Sequence, residues 1–181
     1  MDADTDALTL IPNRRAGLRK LEELLEQVGQ GELSMTAAML DIDQLKMVND
    51  QFGHLEGDLL ICQISRTIAS LLPQEDLFFR LSGDEFILAF VNQTTDIGSA
   101  LLNQAQQRLR QWGETEKKAY RCSFCFGLIP VNAGTQLSCS TLLSQVDDAM
   151  YTQKRLLHIQ LKESEKAQMQ LADYHGEVSF R

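Results

Sequence analysis

Residues 77–91 read Leu-Phe-Phe-Arg-Leu-Ser-Gly-Asp-Glu-Phe-Ile-Leu-Ala-Phe-Val. Two apolar-aromatic runs, Leu77 to Leu81 and Phe86 to Val91, flank Ser82-Gly83-Asp84-Glu85, which has the composition of a β-hairpin turn. A tight hairpin joins antiparallel neighbours, so a sheet that contains it is not purely parallel. Upstream, Met35 to Ile42 is a mostly apolar run ending in Asp41-Ile42-Asp43 and reads as a buried strand. Downstream, Tyr120 to Val131 reads as a strand with Phe124, Phe126 and Leu128 on one face.

Helical patterns fill the intervals. Leu18, Leu21, Leu24, Leu25 and Val28 recur at helical spacing after Pro12-Asn13, and Gln30-Gly31 ends the pattern. A short helical turn is expected over Gln44 to Asn49, broken at Phe52-Gly53-His54. Leu55 to Leu72 reads as a long buried helix closed by Pro73, and Thr94 to Trp112 as an amphipathic one. Ser138 to Lys154 reads as a last helix with Ser138 or Ser140 as its cap. The order predicts an α+β fold, a mixed α/β sandwich whose central, mostly antiparallel sheet is flanked by helices.

The chain has 181 residues, 44% of them hydrophobic and 23% charged, enough for one domain with a real core. Its 17 Lys and Arg against 25 Asp and Glu leave a net charge of −8, which argues against nucleic-acid or anionic-membrane binding. Any phosphate chemistry must then rest on a few placed cations, backbone N–H groups or a metal. No apolar run approaches membrane-spanning length, and the acidic N-terminus has no signal-peptide core. Four cysteines make no dense disulfide framework, so a cytoplasmic location with reduced thiols is expected. Cys122-x-x-Cys125 is placed in a strand, where residues three apart face opposite sides, and reads as packing.

Acidic residues fall at element ends. Asp41 and Asp43 close a strand, Asp84 and Glu85 sit on the hairpin tip, and Asp58 opens the long helix. Asp41 with Asp84 or Glu85 offers oxygen ligands to a hard divalent cation, and Gly83 leaves room for close approach. Lys46 and Lys154 are candidate phosphate contacts. On spacing alone the same residues are also ordinary turn chemistry.

Motif blocks in a fixed order add to that reading. Asp6-Ala7-Leu8-Thr9 with Pro12-Asn13-Arg14-Arg15 resembles the D-x-L-T-x-x-P-N-R-R opening of bacterial GGDEF domains. Asp41-Ile42-Asp43-Gln44-Leu45-Lys46, Asn49-Asp50, Phe52-Gly53-His54 and Gly57-Asp58 resemble that family's D-I-D-x-F-K…N-D…G-H…G-D. Arg80 to Phe86 resembles its R-x-G-G-D-E-F signature, and Asp148-Ala149-Met150-Tyr151 with Lys154 resembles its D-x-A-[LM]-Y-x-x-K helix.

The resemblance implies a nucleotidyl-cyclase fold related to polymerase palms. The implied activity is a diguanylate cyclase, joining two GTP into cyclic di-GMP with release of two pyrophosphates. It implies Mg2+ or Mn2+ at Asp41, the Ile42 carbonyl and Asp84, with Asp84 and Glu85 in the catalytic shell. Asn49 and Asp58 match the guanine readers, Lys46 and Lys154 the phosphate contacts, and Ser82 and Gly83 the turn under the nucleotide. One GTP per site implies a homodimer. Such domains are usually outputs of longer sensory proteins, which makes sensory or regulatory partner domains an expectation.

Four departures stand out. Ser82 replaces the first signature glycine, Leu10 the glycine of L-T-G, and Leu45 the usual Phe. Where the family reads G-R-N after the helix lysine, this chain has Arg155-Leu156-Leu157-His158-Ile159, so His158 becomes the second phosphate cation. A degenerate domain that binds GTP or cyclic di-GMP without turnover therefore stays open as the alternative. The family's R-x-x-D inhibitory motif falls on Pro73-Gln74-Glu75-Asp76, so the aspartate is kept and the arginine is lost. The catalytic domain is placed at residues 1–161 and a polar tail or connector at 162–181.

Overall fold

The computed structural model describes residues 3–156 and residue 159. Its elements are α1 (Arg14–Gly29), β1 (Met35–Ile42), α2 (Leu45–Phe52), α3 (His54–Ala69), β2 (Leu77–Ser82), β3 (Glu85–Val91), α4 (Thr95–Thr115) and β4 (Phe124–Val131). A further helix, α5, covers residues 139–156. The strands form one sheet in the order β2-β3-β1-β4, with antiparallel pairing throughout.

The unbroken apolar run of β1 has a simple cause. Met35, Ala37 and Met39 face a layer built from Leu21, Leu24, Leu25 and Val28 of α1 and Leu142, Val146 and Met150 of α5. Ala38, Leu40 and Ile42 face the opposite layer, with Val48 of α2, Leu60, Ile64 and Ile68 of α3 and Leu102 and Leu109 of α4. A central strand covered by helices on both faces loses the alternation that an exposed face would impose. Two glycines set how closely helices approach. A Cβ on Gly17 of α1 would lie 2.0 Å from Phe79 Cγ, and one on Gly127 of β4 would lie 2.1 Å from the Met150 backbone nitrogen of α5.

Asn13 caps α1, its side chain accepting from Ala16 N at 3.1 Å. Ser138 caps α5 through Thr141 N at 3.1 Å. Four expected boundaries move by three residues or more, one of them the end of α4, which runs to Thr115 rather than Trp112. The turn after β1 is a full helix, α2, reaching Phe52 rather than Asn49. α3 ends at Ala69: the Ser70 N–H makes the last helical bond, to Arg66 O at 3.0 Å, and the Leu71 N–H turns to Ile68 O at 2.9 Å, so Leu71 and Leu72 lie between the helix and Pro73. β4 begins at Phe124, since side chains tether the preceding stretch. Tyr120 bonds Glu56, and Ser123 bonds Asp43. Cys122 therefore precedes the strand instead of lying in it; its thiol and that of Cys125 are both buried. Among the described residues no helix is long and apolar enough to cross a membrane.

Candidate active site

The hairpin between β2 and β3 is a two-residue turn, Gly83-Asp84, closed by the pair Ser82 and Glu85. Neither turn residue has positive φ, so this is not the primed turn that two-residue hairpins favour. A bulge at Leu81, where the register shifts between Arg80 and Ser82, absorbs the mismatch. Arg80 then locks the tip. Its Nη2 and Nε donate to Gly83 O at 2.7 and 3.2 Å, and Nη1 donates to Asp6 Oδ1 at 3.1 Å. Ser82 Oγ donates to Glu85 Oε2. A side chain on Gly83 would meet nothing within 4 Å, so the space above the turn is open.

The tip is stitched to the end of β1. Ile42 N donates to Asp84 O at 3.1 Å, and Asp41 pairs across the sheet with Glu85 on one side and Cys125 on the other. Cross-strand partners share a face, so Asp41, Glu85 and Cys125 stand in line under α5. Lys154 reaches down from α5, and its Nζ lies 2.7 Å from Asp41 Oδ1. Gly127 makes that reach possible by letting α5 rest directly on β4.

Charge accumulates here. Burial raises the Asp41 pKa above the ordinary carboxylate value, and the neighbouring charges of Asp84 and Asp43 raise it further against the pull of Lys154. Burial alone depresses an ammonium, but for Lys154 the bond and charge of Asp41, with Asp43 behind, leave the pKa raised. Burial pushes the Cys125 thiol up to about 11, with Asp43 adding to it. Asp43 itself is fixed by Ser123, whose Oγ donates to Asp43 Oδ2 at 2.6 Å while Asp43 N donates to Ser123 O at 3.0 Å.

A second group forms where α2 meets α3. A Cβ on Gly57 would lie 2.0 Å from Asn49 Oδ1, so the glycine makes space for the Asn49 amide, and Asp58 is exposed on the next position of α3. Thus Asp41, Ile42, Asp84, Glu85 and Lys154 gather at one sheet end, with Ser82 and Gly83 on the adjoining tip, while Asn49 packs on Gly57, the neighbour of Asp58 in α3. Lys46 is exposed and lines a shallow groove with Gln44, Met47, Asp50 and Gln51. No hydrogen bond or ion pair joins it to either group among the described residues. His158 and the tail 162–181 lie outside the described residues.

The family comparison falls on this geometry. A family model described as "Diguanylate cyclase, GGDEF domain" matches residues 3–157. The chain belongs to the GGDEF family. It is 31% identical over 152 residues to the diguanylate cyclase DgcP of Escherichia coli (strain K12), covering 83% of this chain and 44% of that protein. It is 30% identical over 155 residues to the cyclic di-GMP phosphodiesterase PdeR of the same organism, covering 84% of this chain but 22% of that protein. The chain thus spans less than half of each of these relatives. The GGDEF domain of DgcB from Caulobacter crescentus, solved in complex with c-di-GMP, has the same fold at TM-score 0.74 and 24% identity, over 86% of this chain and 92% of that one. The S-G-D-E-F form of the signature is carried by this chain's own Ser82.

Several contributors carried no role from sequence alone. Arg80 was visible as a signature position, but its double grip on Gly83 and Asp6 depends on residues 74 positions apart in sequence meeting. Ser123 gives no chemical signal, because it acts through Asp43, and Gly57 shows only as a motif position, because it acts through an absent side chain.

Proposed function

We propose that the GGDEF fold here is a working diguanylate cyclase, condensing two GTP into cyclic di-GMP with release of two pyrophosphates. The observation that carries this reading is the meeting of Asp41 and Asp84 with Lys154 at one sheet end, in a domain of this family. A ribose 3′-hydroxyl of one GTP attacks the α-phosphorus of the other, the new phosphodiester forms, and the bond to pyrophosphate breaks.

The donor set fits a hard cation. Asp41 is a half-buried carboxylate in a field raised by two further carboxylates and opposed by one lysine. Among the described residues no group of three or more His, Cys, Asp and Glu side chains is arranged to hold a metal ion. Magnesium, which is commonly held by one or two carboxylates plus substrate phosphates and water, does not need such a group. Asp41, Asp84 and the Ile42 carbonyl would hold Mg2+ or Mn2+. When bound, the cation supplies neutralisation of the charge that develops on the transferring phosphoryl group.

The protein's own groups do the rest. Lys154 and Lys46, with His158, meet the triphosphate; Ser82 and Gly83 give the nucleotide an open seat over the hairpin. Glu85 extends the acidic edge where the hydroxyl proton leaves. Asn49 offers an amide and Asp58 a carboxylate to the acceptor and donor edge of guanine. One GTP per site means that two copies of the domain face each other during bond formation.

A second reading has a specific observation behind it. PdeR, a relative named for the opposite activity, is as similar as the cyclases, and Ser82 and Arg155 to Ile159 depart from the family pattern. On that reading the domain binds GTP or cyclic di-GMP and regulates. Incubation with GTP and Mg2+, followed by chromatography for cyclic di-GMP and pyrophosphate, separates the two. Product formed at catalytic turnover supports the cyclase, whereas saturable GTP binding with no product supports the regulatory module.

A further inference from the structure

Glu56, Gly57 and Asp58 are consecutive on α3, yet they serve different neighbours. Gly57 abuts the Asn49 amide, and Asp58 is exposed. Residues two apart on a helix stand about 200° apart around its axis, so Glu56 turns away from Asp58. Its Oε1 accepts from Lys118 Nζ at 2.5 Å and from Tyr120 Oη at 2.7 Å. Lys118 and Glu56 side chains are 14% and 27% exposed, so this is not a loose surface pair. Lys118 holds the Glu56 pKa below the ordinary carboxylate value, and the Tyr120 hydroxyl adds to that.

The two donors lie on the connection between α4 and β4, and that connection is itself pinned. Lys117 takes a left-handed turn at φ 51°, Lys118 N donates to Gly113 O at 2.8 Å, and Lys118 Nζ sits 5.2 Å from the centre of the Trp112 ring. The Tyr120 ring also lies 5.3 Å from that of Phe52, the last residue of α2. The end of α2 and the start of α3 therefore rest on one loop, on either side of Gly53, whose φ is 90°. Asn49 lies one turn before that hinge and Asp58 just over one turn after it.

We propose that Glu56, Lys118 and Tyr120 form a positioning cluster for base recognition. They fix the angle between α2 and α3, and with it the separation of Asn49 and Asp58. The inference rests on the reading of Asn49 and Asp58 as the guanine pair. Lys118 and Tyr120 touch no nucleotide; they act through the α2–α3 hinge. Discrimination by paired polar groups needs them held to within about half an ångström, which a free two-helix hinge does not supply.

The test uses 3′-deoxy-GTP, which lacks the attacking hydroxyl and so reports binding without turnover. In the full chain, Tyr120→Phe and Lys118→Met are each expected to raise its Kd about three- to tenfold, the loss of one hydrogen bond's worth of positioning. The preference for GTP over ATP in kcat/KM narrows, while kcat at saturating GTP stays within about twofold. Glu56→Gln, which keeps an acceptor for both donors, falls between wild type and these variants. A merely structural role lowers the thermal midpoint and leaves both Kd and base preference unchanged, and that result overturns the proposal. If one variant does not fold, the other carries the measurement. Asn49→Ala, run in parallel, separates the two layers of the argument. If it too leaves Kd unchanged, the base reading fails and takes the inference with it; if it alone weakens binding, only the positioning role falls.

Discussion

Lys154 Nζ and Asp41 Oδ1 stand 2.7 Å apart, joining the last helix to the end of the central strand across 113 residues of chain. The Lys154 side chain is 47% exposed and that of Asp41 15%, so the lysine can return to water if its partner is lost. Asp41→Asn is therefore expected to fold normally, with about 1 kcal/mol or less at stake in the ion pair. Asp84→Ala is expected to fold too, because the bond from Ile42 N reaches the Asp84 backbone carbonyl, which the substitution keeps. Product formation should fall by about 10²-fold or more if, as proposed, these carboxylates hold the cation beside the reacting phosphoryl group. Cyclic di-GMP assays beside thermal melts check both halves; either variant with wild-type turnover removes Asp41 or Asp84 from the site.

Leu10 has φ 62° and is 75% exposed. A left-handed conformation costs an L-residue about 1–2 kcal/mol, and an exposed leucine recovers none of that by burial. Glycine removes the strain but widens the unfolded ensemble, returning about 0.5–1 kcal/mol. Leu10→Gly should stabilise by about 0.5–1 kcal/mol, seen as a rise of about 1–4 °C in thermal midpoint. A fall in midpoint contradicts this account.

Asp6 ties the N-terminal segment to the hairpin. Burial raises its pKa, but the Thr9 hydroxyl and amide and the Arg80 guanidinium outweigh it, leaving the value below the ordinary 3.8. A depressed carboxylate pKa means the unfolded chain binds the proton more readily. Its contribution is then complete above about pH 4 and lost as pH falls through the lower, folded value. Asp6→Asn should cost about 1–3 kcal/mol at pH 7, and the gap to wild type should close in melts below pH 4. A gap independent of pH would falsify the charge-based part of the argument.

Gly57 and Gly127 are both crowded, with opposite consequences. The Cβ of Gly57→Ala meets the movable end of Asn49, so the domain should stay folded while GTP binding weakens. The Cβ of Gly127→Ala meets the Met150 backbone and pushes α5 off the sheet, costing about 1–3 kcal/mol or more and withdrawing Lys154 from Asp41. Melting and GTP titration of the pair should diverge in these two directions; equal loss of stability in both would refute the distinction.

Feedback by product should be weak. Pro73 has no cation to offer, and the Asp76 carboxylate is already used, accepting from Val91 N at 2.9 Å and from Gln93 Nε2 at 3.0 and 3.1 Å. A side chain committed to the end of β3 is a poor ligand. Initial rates at rising cyclic di-GMP should show little non-competitive inhibition. Micromolar inhibition that Asp76→Asn abolishes would show the opposite.

Where the sequence spoke clearly, a local pattern was enough. The hairpin, the helix starts after Pro12-Asn13 and at Ser138 or Ser140, and the boundaries of β1 each follow from residues within a few positions of each other; the structure makes Asn13 and Ser138 the caps. Boundaries were lost where distant side chains replaced the backbone ladder, as when Ser123 turns to Asp43 and Tyr120 to Glu56. The site divides in the same way. Asp41 and Asp84 could be named from their motifs. That Lys154 meets Asp41, and that Arg80 spans Gly83 and Asp6, depends on contacts no local window contains.

The reach of α5 back to β1 also has a consequence for synthesis. A chain emerging from the ribosome presents Asp41 and Asp84 long before it presents Lys154, and β4, which seats α5, comes between them. Until the final helix docks, the acidic edge exists without its counter-charge. A nascent or truncated domain ending before residue 154 would carry the strands and their carboxylates without the lysine that pairs with Asp41.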